Sequence, residues 1–233
     1  MHDTLRTKGL LPISQPFTNL LGYTGLDTVL PSVLNTAGND APVDWVLIEV
    51  RSATTPSQVL MRIPGLVQRD SDVINPSTGS NDLNITGLVP GSYHVAIRHR
   101  NHLGVITATP VSLLSGSLTL VDFGATTTVV SGANARLLVD EKALLWAGDA
   151  NFSDQAIANG PDNDTNAILG TVLLSSANTS LSANHIKPGY EQSDLNMDGD
   201  SIFGGPNNDV NLLIGNVLLH PNNGTLSANY VIK

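Results

Sequence analysis

The sequence contains no cysteine. Thiol nucleophiles, disulfides and cysteine-ligated zinc or iron–sulfur centres are therefore excluded. Charge is scarce: Asp, Glu, Lys and Arg make up 13% of the 233 residues, about half the usual share. Aromatic residues contribute only 4%. No run approaches the roughly 18 apolar residues of a membrane-spanning helix, so no membrane span is expected. The opening "MHDTLRTKGLLP" lacks the apolar core of a signal peptide, which leaves either a removed leader or a fragment of a longer chain. HExxH, GxSxG and phosphate-binding glycine loops are also missing. No enzyme is expected, although two carboxylates facing each other across a cleft would leave no signature in sequence.

Asn, Ser, Thr and Gly take the place of the missing charge, and 41% hydrophobic residues suffice for a core. This composition points to a β-rich extracellular or cell-surface protein. Without disulfides, such a chain needs another staple wherever packing is thin. The charge is unevenly placed. Residues 1–139 hold 8 basic and 9 acidic side chains, whereas residues 140–233 hold 3 and 11, a net −8. No basic face is available for nucleic acid.

The acidic part is a tandem duplication. The segment from Asp149 to Ile186 aligns without gaps on the one from Asp194 to Val231, 45 residues on, with 17 of 38 positions identical. Each unit opens with oxygen-bearing side chains at relative positions 1, 3 and 5. These are Asp149, Asn151 and Ser153 in the first unit, and Asp194, Asn196 and Asp198 in the second. In an EF-hand loop such positions point inward, Gly at 6 eases the turn, position 7 donates its carbonyl, and a carboxylate at 12 closes the loop. Position 7 is Gln155 or Asp200, and position 6 is Asp154 or Gly199. The candidate closing residues, Asp164 and Asp209, come at position 16, after an insertion that contains Gly160-Pro161 or Gly205-Pro206.

Helical stripes follow: Ile168, Leu169, Val172 and Leu173, then Leu213, Ile214, Val217 and Leu218. Asp164 and Asp209 would stand at the helix N-termini, where the dipole favours a carboxylate. Helix capping and solvated turns are the plain alternative, but capping alone does not require positions 1, 3 and 5 to be duplicated. Two Ca2+ sites are expected. Loop two, with Asp198 where loop one has Ser153, is expected to bind more tightly, because ligand charge tunes affinity.

The two loop-plus-helix units resemble the dockerin domain, with a longer period and a four-residue insertion. Over most of its length the chain is also similar to a C-terminal region of large secreted and surface proteins of Bacteroidetes-type bacteria. "MHDTLRTKGLLP", "DWVLIEVR", "QRDSDVI", "PGSYHVAIRHRNHLGV" and "LLWAGDAN" carry that likeness. It implies an extracellular location, calcium, and further sequence before Met1.

The N-terminal part reads as short strands between Gly, Pro, Asn and Ser turns: 43–50, 58–63, 83–88, 93–99, then "VITATPVSLL", "SLTLVDF", "TTTVV" and "ARLLVD". "LNITGLVPGSYHVAI" resembles the strand–turn–strand of transthyretin-like and Cna-B-like sandwiches. The fold expected is mainly β: an immunoglobulin- or transthyretin-like sandwich over 1–139, then a small α-containing double calcium-loop repeat over 140–233. Residues 1–40 wrap the sandwich or pair along an edge, and Trp146 is buried at the joint. In "HVAIRHRNH", Arg98 and Arg100 are expected to pair with acids such as Asp44, Glu49 or Asp70. Asn84, Asn151, Asn163, Asn178 and Asn223 head Asn-x-Ser/Thr sequons, and Asp-Thr-Leu and Asp-Thr-Val at 3–5 and 27–29 resemble an O-glycosylation motif.

The expected function is that of a calcium-stabilised, non-enzymatic structural or adhesive protein. Its partners would be copies of itself, in a homo-oligomer or filament, or other surface proteins and glycans. The alternatives are a dockerin-type or glycan-binding module and the accessory region of a secreted hydrolase.

Overall fold

The computed structural model describes residues 1–233, the side chain of Asn19 excepted. The chain is mainly β, with antiparallel sheets. Three short helical turns come first: α1 (Thr4–Thr7), α2 (Phe17–Leu21) and α3 (Pro31–Leu34). A six-stranded sheet follows, formed by β1 (Pro42–Ser52), β2 (Val59–Gln68), β3 (Val73–Ile74), β4 (Gly91–Arg98), β5 (Val105–Ile106) and β6 (Val111–Leu113). Its order is β3-β2-β1-β4-β5, with β6 also paired to β4.

β1 is the central strand, and its run of β-branched and aromatic residues suits that place. Successive side chains leave opposite faces of a strand. Trp45 and Leu47 enter a core with Leu5, Leu11, Phe17, Val29 and Val33 from the N-terminal segment. Val46 enters another with Ile97 and Val105, packed against Phe123, Val130, Ala135 and Leu145. Residues 1–40 therefore wrap the face of their own sheet, and the Trp45 Nε1–H donates to the carbonyl of Pro12 at 2.8 Å. β2 runs on through Pro64, opposite Leu47, beyond the part of the strand that pairs with β3. A residue without an N–H is tolerated on such an unpaired edge.

The second face of the sheet is covered by a hairpin, β7 (Arg136–Val139) and β8 (Lys142–Leu145), together with irregular chain. A second full sheet is not among these pairings. Two segments read as strands, 83–88 and 117–123, form none, and 126–130 contributes only a bridge from Val130 to Thr107. Of "SLTLVDF" only Phe123 reaches the core, and Leu118 and Leu120 are almost fully exposed. The compositional boundary at 139/140 falls in the turn of the β7–β8 hairpin.

The duplicated segment contains β9 (Ala156–Ile157), α4 (Asp164–Leu173), β10 (Ile186–Pro188), β11 (Asp200–Ile202), α5 (Asp209–Leu219) and β12 (Val231–Ile232). Its strands pair crosswise. β9 of the first loop pairs with β12 after the second helix, and β11 of the second loop pairs with β10 after the first. Each helix buries an i, i+4 pair, Ile168 with Val172 and Leu213 with Val217. Ile168, Leu213 and Val217 join Leu103 and Trp146 in one core. Trp146 is thus buried at the joint, with its Nε1–H donating to the carbonyl of Asn134 at 2.8 Å. No helix is long and apolar enough to cross a membrane among the described residues.

Phe17 is fully buried under the sheet, whereas Leu26 in the same segment is 94% exposed. Phe17→Ala is expected to cost about 3–5 kcal/mol and Leu26→Ala less than about 0.5 kcal/mol, as read by urea unfolding of the purified chain.

Candidate functional site

The two loops are built alike apart from position 5. In the first, the Asp149 carboxylate accepts the N–H of Ser153 at 2.7 Å on one oxygen and that of Asp154 at 3.0 Å on the other. In the second, Asp194 accepts the N–H of Asp198 at 3.1 Å and of Gly199 at 3.0 Å. The Asn151 carboxamide oxygen also receives Ser153 N–H, and that of Asn196 receives Asp198 N–H. Short polar side chains favour such local bonds to the main chain. They curl the chain around each opening Asp. Backbone φ is positive at equivalent places, at Phe152 and Met197 and again at Asp154 and Gly199. Glycine meets that demand without strain and aspartate does not.

Asp164 and Asp209 close the loops. Asp164 accepts the N–H groups of Ala150 and Asn151 on one oxygen and of Ile157 on the other. Asp209 does the same with Leu195, Asn196 and Ile202. Neither is the helix cap. That role falls to Asn163 and Asn208, whose side chains accept from Asn166 N and Asn211 N. The closing aspartates occupy the first helical position and face back across the loop.

Main-chain hydrogen bonds thus tie Asp149, Asn151 and Asp164 into one cage, with Ser153 joined through its N–H, and Asp194, Asn196 and Asp209 into the other, with Asp198 joined the same way. Ser153 Oγ lies 3.5 Å from the Gln155 carbonyl. The carboxylate of Asp200 turns away to the Lys8 ammonium, 2.7 Å distant, while its own N–H donates to Asp198 at 3.0 Å. Among the described residues, no three His, Cys, Asp or Glu side chains stand as a metal-holding group. A cation here would depend on Asn151 or Asn196 and on main-chain carbonyls as well. The donors are all oxygens, which fits a hard cation such as calcium.

Each cage holds two buried carboxylates. Burial pushes Asp149 up to about 7, with the charge of Asp164 adding to the rise and the N–H bonds opposing it. Burial likewise lifts Asp164 to about 6, Asp194 to about 7 and Asp209 to about 6. Two desolvated carboxylates in one cage disfavour their charged forms, and a bound cation would reverse that preference.

Both cages rest on the short stretch that follows β4. Asn101 accepts Asp149 N–H on its main-chain oxygen at 3.1 Å, and its side-chain amide donates to the Asp194 carbonyl at 2.6 Å. Arg98 pairs with Asp154. Arg100, which is fully buried, donates through Nε to Asp44 at 2.9 Å and through Nη1 to the carbonyl of Glu191. Asp44 also accepts from His99 at 3.1 Å, from Tyr190 Oη at 2.6 Å and from Trp45 N–H at 2.7 Å. Burial alone would raise the Asp44 pKa, but Arg100 and His99 together with these bonds hold it well below the usual carboxylate range. His94 bonds the carbonyl of Thr107 through Nδ1. The expected pairing of Arg100 with Asp44 is present, and Glu49 pairs with Arg51 and Arg62.

Asn178 and Asn223, noted in the sequence only as sequons, are buried structural residues. Each amide donates to a carbonyl in the last turn of its helix, Val172 or Val217, and to that of Ser182 or Ser227, and each accepts the N–H of that serine. Their place inside the repeated pattern, 45 residues apart, was the signal available in the sequence.

No protein-family model matches the chain, and no curated protein or solved structure shows significant similarity to it.

Asn223→Ala strands two carbonyls and an N–H. It is expected to cost about 2 kcal/mol in chemical denaturation, while Asn229→Ala at an exposed position costs less than about 0.5 kcal/mol. Asp44→Asn breaks a buried ion pair and is expected to cost about 3–5 kcal/mol at neutral pH. The folded-state pKa of Asp44 lies below its unfolded value. Its stabilisation is therefore complete above the unfolded value and is lost as pH falls through the folded one. The gap between wild type and Asp44→Asn should hold down to about pH 5 and narrow only below about pH 4, as read by urea midpoints across pH.

Proposed function

We propose that the protein is a calcium-stabilised extracellular structural or adhesive protein, without catalytic activity, in which the duplicated loops are the ion-held staple. The observation that carries this reading is the pair of matching cages, each with two buried aspartates whose charged forms burial disfavours and a bound cation would favour. Asp149, Asn151, Ser153, Asp164 and the carbonyl of Gln155 would hold one ion. Asp194, Asn196, Asp198, Asp209 and the carbonyl of Asp200 would hold the other. Bound calcium supplies positive charge and ties the start of each loop to the helix behind it. On this reading the duplicated region is a dockerin-like double loop, and the sheet with its covering hairpin is a reduced sandwich. The composition, polar and sparsely charged, supports the location. Two ions would bring residues 140–233 from net −8 to about −4, easing self-repulsion that opposes folding.

Calorimetry of the full chain should register two calcium ions. Calcium at 100-fold over its Kd stabilises by about 2.7 kcal/mol per site, so chelator should lower the melting midpoint. Hydrogen exchange should quicken first at the amides of Ile157 and Ile202, which donate to the closing aspartates at 2.8 and 2.9 Å. No heat of calcium binding, or a melting profile that chelator leaves unmoved, would overturn the reading.

A further inference from the structure

Building on the calcium reading, we propose that Arg100 is a resident counter-cation of the second loop and reverses the affinity order that ligand charge alone implies: loop one binds calcium more tightly than loop two. Because the two cages share their internal hydrogen bonds, a difference in affinity has to come from what differs at position 5 and from what surrounds each cage.

The Arg100 guanidinium is fully buried, and its Nη2 has no hydrogen-bond partner. That nitrogen lies 3.7 Å from Oδ2 of Asp194, the first ligand of loop two. The group cannot discharge by losing a proton. Nor is it free to swing away, since Nε is held by Asp44, Nη1 by the Glu191 carbonyl, and the guanidinium lies over the Tyr190 ring at 4.5 Å. A divalent ion arriving at Asp194 must share that carboxylate with a fixed charge in a desolvated setting, where Coulomb interactions are strongest. Lys8, on Asp200 at 2.7 Å, adds a second, more exposed cation.

Loop one has no such neighbour at its first ligand. Asp149 has only main-chain N–H groups on its oxygens, and Arg98 is spent on Asp154, a position-6 side chain that is 60% exposed. Asp198 does give loop two one more carboxylate than Ser153 gives loop one. It is only half-buried, however, whereas Arg100 meets a fully buried ligand, so the repulsion outweighs the added attraction.

The test is a calcium chloride titration of the full-length chain followed by amide NMR. Asp154 and Ile157 amides report loop one, and Gly199 and Ile202 amides report loop two. Loop one should reach half-saturation at about tenfold lower calcium than loop two. Lys8→Met removes an exposed cation without touching the core and should tighten loop two about threefold while leaving loop one unchanged. The paired variant Asp44→Asn with Arg100→Met removes both charges of the buried pair, so neither is left unpaired, and should tighten loop two about tenfold. Loop two saturating first, or together with loop one, overturns the proposal, as does a loop-two midpoint that neither variant moves. A titration that shifts neither set of amides overturns the calcium reading itself.

Discussion

The buried contact between Asp44 and Arg100 ties the molecule together. Asp44 sits on the central strand β1, Arg100 lies just past β4, and Tyr190 and Glu191 approach from the link between the two repeat units. Isolated, either charge would be prohibitively costly in a dry interior. Together, with His99, Tyr190 and the Trp45 N–H filling the remaining acceptor sites of the carboxylate, they form a network that is nearly satisfied. One guanidinium nitrogen is left over, and it points at Asp194. The sheet and the repeat therefore share an electrostatic centre as well as an apolar core.

The repeat is stabilised by interlocking rather than by the size of either unit. Each loop contributes a two- or three-residue strand, too short to stand alone. Each finds its partner in the other unit, so neither half closes without its copy. The buried amides of Asn178 and Asn223 fix the return from each helix to the strand that crosses over. Asn101 then fastens the opening aspartate of both loops to the end of the sheet. A chain without disulfides can reach rigidity this way, by polar side chains that replace covalent staples.

Much of this was legible from residue order. The duplication, the cage-forming positions, the helix following each loop, the central strand over 43–50 and the buried Trp146 all follow from local spacing and hydrophobic period. Other features were misread for identifiable reasons. The alternation in "SLTLVDF" suggested a strand, but no strand pairs with it and Leu118 and Leu120 stay exposed, because periodicity carries no information about a partner. The helix caps were passed over: Asn163 and Asn208, just before the closing aspartates, have the extended backbone a cap requires. Sequon spacing at Asn178 and Asn223 concealed the demand for a buried amide.

By itself, then, the sequence determined the local devices: which oxygens gather in each loop, where the chain turns, and which helix faces are apolar. These depend on interactions between residues a few positions apart, whose geometry the backbone enforces directly. Only the tertiary structure decided what lies beside each cage. Arg100 stands 94 positions before Asp194 and Lys8 stands 192 before Asp200, and β9 finds its partner across the whole second unit. Such contacts are set by how the sheet face, the hairpin and the two helices pack against one another. Two loops of like internal geometry consequently acquire unequal electrostatic surroundings.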